Sequence, residues 1–268
     1  MKGYRVKPGS DVDLSDWDPE DTGDYRDKAE AKARTEKFIA RLRELQEKLY
    51  AGAERSLLIV LQGMDTSGKD GTIEKVMAAV DPQGCQVTAF KAPTEEERAH
   101  DFLWRIHRAV PAKRFIGIFN RSHYEDIVTV RVLGLISDKT AKRRARQIVD
   151  FEQMLIENDV TVLKFFLHIS KAEQKRRFEA RLQDPQKRWK WNSLDLDARA
   201  KWKEYMRAYA DALSATSTED APWYIVPADH KWYRNLVVAE TIVTALEAMK
   251  LKYPSRTDEI DWKKIVID

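Results

Sequence analysis

Apolar residues recur along the chain with two different spacings, which predict helices and strands in alternation. Between residues 29 and 49 they return every three or four positions, the spacing of an amphipathic helix, and Gly52 indicates its end. Ser56–Gln62 follows and is apolar almost throughout, as expected of a strand covered on both faces of a parallel sheet. The other strands that the pattern predicts are at residues 86–90, 114–119, 160–169 and 223–227.

The order of these elements predicts the fold class. Helical patterns separate most of the strands, and this alternation is typical of a doubly wound α/β fold, a parallel sheet flanked by helices. Two helix starts have the spacing of a capping box, Thr94 with Glu97 and Ser170 with Glu173. The domain boundaries we expect are 25–253 for the main domain, 1–24 for a loosely packed acidic arm and 254–268 for a short charged tail.

A glycine-rich turn follows the first predicted strand directly. It fits the pattern G-x-x-x-x-G-K, in which backbone amides surround a phosphate while the lysine reaches the outer phosphates. A strand precedes this turn and a helical pattern over residues 71–80 follows it, which is the context that phosphate binding requires. The phosphate-binding residues that the motif predicts are Gly63, Thr66, Ser67, Gly68, Lys69, Asp70 and Gly71.

Two acidic residues distinguish this loop from the common form. Asp70 occupies the position after the lysine, where a serine or threonine usually binds magnesium. Asp65 lies inside the loop, and a carboxylate beside a phosphate is repulsive unless a divalent cation bridges the two groups. We therefore interpret Asp65 as a magnesium ligand or an acid–base group. The alternative is a carboxylate that braces the loop by accepting from backbone amides.

A second polar segment, residues 120–126, follows the strand predicted at residues 114–119. In a fold of this class it reaches the edge of the sheet that carries the phosphate loop. We expect Arg121 to clamp phosphoryl oxygens and Glu125 to hold magnesium. An ordinary helix start with acidic residues is the alternative, and it is the interpretation we prefer for Asp126. The other residues assigned to this second motif are Asn120, Ser122, His123 and Tyr124.

Basic residues cluster, although the net charge is only +3. Arg177 and Arg181 are four positions apart and therefore share a helix face. The pattern breaks at Asp184-Pro185, and a basic and aromatic segment with Lys187 and Arg188 follows. This sequence predicts a helical basic lid at about residues 177–195 that closes over a bound polyanion. Solvated helix faces are the alternative for these clusters.

The composition indicates in which compartment we expect the protein and which kinds of site it can contain. One cysteine, Cys85, cannot form an internal disulfide, and no apolar run approaches the roughly 20 residues of a membrane span. No export signal is evident, so we expect a cytoplasmic protein without a membrane partner. The five histidines do not have the spacing of metal ligands.

Three motifs together resemble the polyphosphate kinase 2 family: residues 62–73, 119–126 and 184–190, supported by the aromatic segment at 221–228. The resemblance implies a P-loop fold like that of thymidylate kinase. It also implies phosphoryl transfer from inorganic polyphosphate to nucleotides with Mg²⁺, and a homo-oligomer. Many members carry aspartate at the position of Asn120. This chain resembles instead the subgroup that acts on nucleoside mono- and diphosphates, converting AMP through ADP to ATP.

The resemblance also implies roles for individual residues. The catalytic residues it indicates are Asp65, Lys69, Arg121, Glu125, Arg177 and Arg181, with Asp65 and Glu125 as metal ligands. Two other functions stay open. An ATP-dependent nucleotide kinase uses the same fold and loop, and a non-enzymatic P-loop protein would bind nucleic acid through the basic clusters. We expect no nucleic-acid partner.

Overall fold

A single parallel sheet forms the centre of the protein in the computed structural model, which describes residues 2–192, 194–255 and 265. Its strands are β1 (Ser56–Gln62), β2 (Cys85–Ala89), β3 (Ile116–Asn120), β4 (Val160–His168) and β5 (Trp223–Pro227). Their order across the sheet is β2-β3-β1-β4-β5, with parallel pairing throughout. This arrangement confirms the predicted α/β class.

Helices connect the strands and flank the sheet. They are α1 (Lys28–Gly52), α2 (Lys69–Val76), α3 (Glu95–Ala99), α4 (Trp104–Ala109), α5 (Thr129–Val132), α6 (Asp138–Glu157), α7 (Lys171–Gln183), α8 (Leu194–Ala200), α9 (Trp202–Thr216) and α10 (Lys231–Ala248). Short 3-10 turns lie between several of them. The capping box predicted at Thr94 and Glu97 is present in full, with both reciprocal bonds formed.

Burial explains why the apolar runs were reliable signals of strands. All of β1 is buried because it lies between β3 and β4 with helices packed on the sheet. The edge strand β2 is half exposed, which accounts for its polar composition. The strand predicted from residue 114 begins two residues later because Arg114 has a positive φ of 77°, outside the extended region. The helix predicted at residues 71–80 is α2, which ends at Val76.

The carboxyl ends of three neighbouring strands bring the motifs together. The phosphate loop follows β1, the second motif follows β3, and α7 follows β4 after two residues. Because the strands are parallel, these connections leave the sheet at the same edge, where ligands bind in open α/β sheets. The topology therefore converts three distant sequence segments into one candidate site.

The N-terminal arm packs more closely than its acidic, turn-rich sequence suggests. Val6 is buried, and its amide donates to the carbonyl of Trp223 at 2.8 Å, beside the outer edge of β5. The Tyr4 hydroxyl donates to Asp21 at 2.5 Å and lies 2.8 Å from the Tyr233 hydroxyl. The arm is therefore an ordered cover for that edge of the sheet. Most of the tail predicted at residues 254–268 lies outside the described residues.

A fully buried ion pair connects the sheet to the second motif. Lys164, in the middle of β4, donates to the Glu152 carboxylate of α6 at 2.5 Å and to the Tyr124 hydroxyl at 3.0 Å. Tyr124 also donates to Glu152 at 2.8 Å, and the His123 ring lies 3.3 Å from the same carboxylate. Charged groups in the interior require such partners. The network therefore fixes the turn that follows β3.

We expect Lys164→Met to destabilise the protein by about 3–5 kcal/mol because it leaves the Glu152 carboxylate buried without its cation. The double variant Lys164→Met/Glu152→Gln should recover part of this loss. Urea denaturation measures the free energy of unfolding. Lys113→Met is the control, since it removes an exposed partner of Asp159 at 3.2 Å. Equal losses in Lys164→Met and Lys113→Met would contradict the assigned role of the buried pair.

Candidate active site

The phosphate loop connects β1 to α2, and two of its glycines cannot be replaced without strain. Gly63 has a φ of 147°, and a Cβ there would lie 2.7 Å from the Leu167 carbonyl oxygen. Gly68 has a φ of 104°, and a Cβ there would collide with the Arg234 guanidinium. Lys69 is the first residue of α2, so the unpaired amides of this helix end face the loop. The loop has the geometry of an anion site.

Lys69 is buried beneath this loop. Its ammonium donates to the carbonyls of Gly63 at 2.8 Å and Met64 at 3.3 Å. Burial lowers the pKa of Lys69 to about 8, and the neighbouring positive charge of Arg121 acts in the same direction. An anion in the loop would favour the charged form of the lysine. The hydroxyls of Thr66 and Ser67 are also buried here without a hydrogen-bond partner in the described part of the chain.

The Arg177 side chain bonds the backbone of the phosphate loop. Its guanidinium uses all five N–H groups on protein acceptors at 2.6–3.1 Å, which are the carboxylate of Glu173 and the carbonyls of Thr66, Ser67, Ala228 and Asp229. The sequence indicated direct contact between Arg177 and the substrate, but no donor is left for it in this arrangement. Glu173 consequently does not complete the capping box predicted with Ser170. The hydroxyl of Ser170 still caps α7.

Arg121 joins the phosphate loop to the second motif. Its guanidinium contacts the carboxylates of Asp65 and, at 3.3 Å, Glu125. Burial alone would lower the pKa of Arg121, but the negative charges of Glu125 and Asp65 raise it above its ordinary value. Glu125 also accepts from Thr129 at 2.7 Å, while its second oxygen is buried without a partner among the described residues. Asp65 thus bonds a guanidinium in the site, whereas the sequence also allowed a brace to backbone amides.

Asp195 completes this cluster, although no motif in the sequence indicates it. It lies in α8, and its carboxylate is 3.5 Å from Arg181 and within hydrogen-bonding distance of Asp65. Burial and the adjacent Asp65 carboxylate raise the pKa of Asp195 to about 6. Two carboxylates so close repel each other when both are ionised, and a cation between them would remove this repulsion. Only the fold brings α8 to the loop.

The second motif divides between the site and the interior. Asn120 faces the phosphate loop and donates to Asp70 at 2.6 Å. Ser122, His123 and Tyr124 are buried and bond within the protein, and their assignment to the site as parts of the second motif stays a prediction. Their side chains point into the core because the turn after β3 packs against α6. Asp126 is also buried and lies 3.4 Å from Arg105, and the helix-start role preferred for it stays a prediction.

The basic segment after α7 is exposed and forms mostly local bonds. Lys187 pairs with Asp184 at 2.6 Å, and Arg188 donates to the Leu182 carbonyl at 2.8 Å. Residues Arg188–Lys190 form a short 3-10 turn, and Ser193 lies outside the described residues. In this arrangement neither Lys187 nor Arg188 is bonded to the phosphate loop. Closure of this segment as a lid stays a prediction.

The acidic side chains of the site fit Mg²⁺ bound together with phosphates. Magnesium usually takes one or two carboxylates and completes its shell with water and substrate oxygens. Asp65 and Asp195 provide such a pair, and the unpartnered oxygen of Glu125 lies on the other side of Arg121. Across the described ranges, no group of three or more histidine, cysteine, aspartate or glutamate side chains is arranged to hold a metal alone. None of the described helices is long and apolar enough to cross a membrane.

Comparisons with known proteins agree with this geometry. The chain is 46% identical over its full length to an AMP/ADP-polyphosphate phosphotransferase of Meiothermus ruber, whose whole length is also covered. It is 42% identical to an ADP-polyphosphate phosphotransferase of Rhodopseudomonas palustris, with 96% of this chain and 93% of that protein covered.

Similarity extends to a solved structure and to a family model. The crystal structure of polyphosphate kinase 2 from Arthrobacter aurescens superimposes with a TM-score of 0.93 at 47% identity, over 97% of this chain and 93% of that one. A family model described as polyphosphate kinase 2 matches residues 25–254. The phosphate loop, the Arg121 cluster and the basic segment all lie within this match. The chain therefore belongs to the polyphosphate kinase 2 family.

Proposed function

We propose that this protein transfers phosphoryl groups from inorganic polyphosphate to AMP and ADP, forming ADP and ATP reversibly with Mg²⁺. The observation that carries the proposal is the convergence of the phosphate loop, Arg121 and the Asp65–Asp195 pair at one edge of the sheet. Membership of the polyphosphate kinase 2 family supports the donor. The name of the Meiothermus ruber relative supports both acceptors.

Asn120 is the feature of this chain that bears on the acceptor. Its amide donates to Asp70, so the carboxylate after Lys69 is held by a neutral group. An aspartate at position 120 would place a second negative charge against Asp70.

The remaining parts of the proposal are a cytoplasmic location and a homo-oligomer, with no nucleic-acid or membrane partner. The single cysteine is in keeping with a reducing compartment.

In the proposed reaction, a phosphate oxygen of AMP or ADP attacks the terminal phosphorus of the polyphosphate chain. A new P–O bond forms, and the bridging P–O bond to the next phosphate breaks, leaving the chain one phosphate shorter. The attacking oxygen belongs to a phosphate that is already ionised near neutral pH, so the protein does not have to remove a proton. Alignment and charge stabilisation therefore account for the catalysis.

The residues of the site divide this work. Lys69 and the amides of the loop hold the transferred group and offset its charge, while Arg121 and Arg181 orient phosphates at the opposite side. Asp65 and Asp195 would hold Mg²⁺, with Glu125 orienting Arg121 and a bound water. When bound, the metal ion would supply charge neutralisation for the phosphates. Arg177 keeps the loop in its binding shape rather than contacting the donor.

Two other functions are alternatives, and each requires a different kind of binding site. An ATP-dependent kinase of the same fold requires a site for a second nucleoside, whereas family membership favours polyphosphate as the donor. A nucleic-acid-binding protein would use the exposed cations without turnover. The buried Lys69 and the paired carboxylates favour phosphoryl transfer, because a backbone-binding surface needs neither.

The first prediction of the proposed function concerns the products. Purified protein incubated with Mg²⁺, long-chain polyphosphate and AMP should form ADP and then ATP, which chromatography of timed samples resolves. Lys69→Ala should abolish both products because the transferred phosphoryl loses its buried counter-charge, and circular dichroism should show an intact fold. Turnover with ATP but not with polyphosphate as donor would contradict the proposal. Normal activity of Lys69→Ala would contradict the role of the lysine.

A second prediction tests Asp195 as a metal-binding residue. Asp195→Asn should raise the Mg²⁺ concentration for half-maximal activity by about tenfold or more, since one charged ligand is lost. A magnesium titration at saturating polyphosphate and ADP measures this value. Asp197→Asn is the matched control, because it makes the same change at an exposed position of the same helix. An unchanged magnesium requirement in Asp195→Asn would remove this residue from the site.

A third prediction separates the two arginines of α7. Arg177→Lys should lower the free energy of unfolding by about 1–3 kcal/mol, because lysine cannot reach all the carbonyls that the guanidinium satisfies. It should also lower kcat. Arg181→Lys should leave stability unchanged and raise the KM for polyphosphate. Thermal denaturation and steady-state kinetics of both variants test this division, and a stable Arg177→Lys protein with only a raised KM would refute it.

A further inference from the structure

The N-terminal arm lies outside the residues that the family model matches, yet two of its contacts lead to the phosphate loop. The match begins at residue 25, whereas the arm covers residues 1–24. The arm makes one contact with the segment that joins β5 to α10 and the other with the first turn of α10. This part of the chain also contacts or carries the two arginines whose guanidiniums bond the loop.

The first contact involves Asp229, in the segment between β5 and α10. The Asp229 amide donates to the Pro19 carbonyl of the arm at 3.1 Å. The Asp229 carbonyl accepts from Arg177 at 2.9 Å, and the same guanidinium bonds the loop carbonyls of Thr66 and Ser67. A single residue, Asp229, thus separates the arm from an arginine that holds the loop.

The second contact involves Tyr233, in the first turn of α10. The Tyr4 hydroxyl donates to Asp21 at 2.5 Å and lies 2.8 Å from the Tyr233 hydroxyl, so both ends of the arm meet at this tyrosine. The next residue, Arg234, is only 2% exposed and donates to the Ser67 carbonyl at 3.1 Å. The start of α10 therefore lies between the arm and the loop and is bonded to both.

These bonds bear on how often the free protein has a loop that can bind an anion. Two acceptors of the Arg177 guanidinium, the carbonyls of Ala228 and Asp229, lie in the segment before α10, and Arg234 belongs to α10 itself. If this part of the chain shifts, both guanidiniums lose their fixed positions against the loop carbonyls. The loop then has its anion-binding shape for a smaller fraction of the time. A ligand that binds only this shape requires a higher concentration, whereas the saturated protein is unchanged.

We propose that the N-terminal arm is a positioning element for the phosphate loop. Its Tyr4 and Asp21 side chains hold the start of α10, and its Pro19 carbonyl holds the segment before that helix. Arg177 and Arg234 consequently keep the loop in the shape that binds the donor phosphates. The inference rests on the proposed function, because it takes polyphosphate as the ligand of the loop.

The test breaks the bond between the arm and α10 while the arm stays in the protein. Tyr4→Phe retains the ring that packs on Tyr233 and loses the hydroxyl, so the KM for polyphosphate should rise about threefold, the size expected for one hydrogen bond, with kcat unchanged. Asp21→Ala should raise this KM as well. The double variant should not exceed the effect of Asp21→Ala, since both changes break the same bond. Tyr25→Phe is the matched control, because it removes a hydroxyl from another ring that packs on Tyr233, and its KM should stay at the wild-type value.

Steady-state kinetics separates positioning from a loss of folded protein. A lower kcat with an unchanged KM would mean that the variants contain less folded enzyme, and it would overturn the positioning role. An unchanged KM in both single variants, or an equal rise in Tyr25→Phe, would overturn it too. If Asp21→Ala does not fold, the milder change Tyr4→Phe gives the answer. Absence of polyphosphate turnover in the wild-type protein would instead refute the proposed function, and the inference with it.

Discussion

The phosphate loop can bind an anion only if its carbonyls are held away from the ligand, and the Arg177 guanidinium provides this constraint. The guanidinium bonds the loop carbonyls of Thr66 at 2.9 Å and Ser67 at 3.1 Å, so these two carbonyls are directed at Arg177 and not at a ligand. Arg234 adds a second bond to Ser67 from α10. The shape of the loop therefore depends on two buried cations, Arg177 and Arg234, that bond its carbonyls. Their charge nevertheless contributes to the positive field that a polyanion meets.

A second buried charge system holds the other half of the site. Lys164 and Glu152 lie under the turn after β3, and their bonds to Tyr124 fix the backbone from which Arg121 projects. The two halves meet where Arg121 contacts Asp65. The ion pair that fixes the turn thus lies in the interior, and the half-buried carboxylates of Asp65 and Glu125 lie above it in the site. Burying an ion pair inside a protein costs desolvation free energy. Here the buried pair fixes the turn after β3 that carries Arg121.

Sequence reasoning found the strands and the phosphate loop because local pattern determines both. β1 was predicted to the residue, since an unbroken apolar run that leads into a glycine-rich turn is typical of a buried parallel strand. The direction in which an individual side chain points could be predicted less well from the sequence. Arg177 and Arg181 have the same spacing signal, but only the position of α7 beneath the loop gives them different roles. Asp195 belongs to no motif, because its proximity to Asp65 arises entirely from the chain path through α8.

The N-terminal arm has a consequence for how copies of this protein can meet. A strand edge with free amides and carbonyls invites pairing with another chain, and the arm occupies that position on β5 through Val6 and Arg5. The opposite edge, at β2, has no such cover in the described part of the chain, and its Val87 is 51% exposed. The arm therefore blocks the addition of a strand at the β5 edge, whereas the β2 edge is open to it. Any association by strand addition is confined to one side, which permits pairs of sheets but not open-ended stacks.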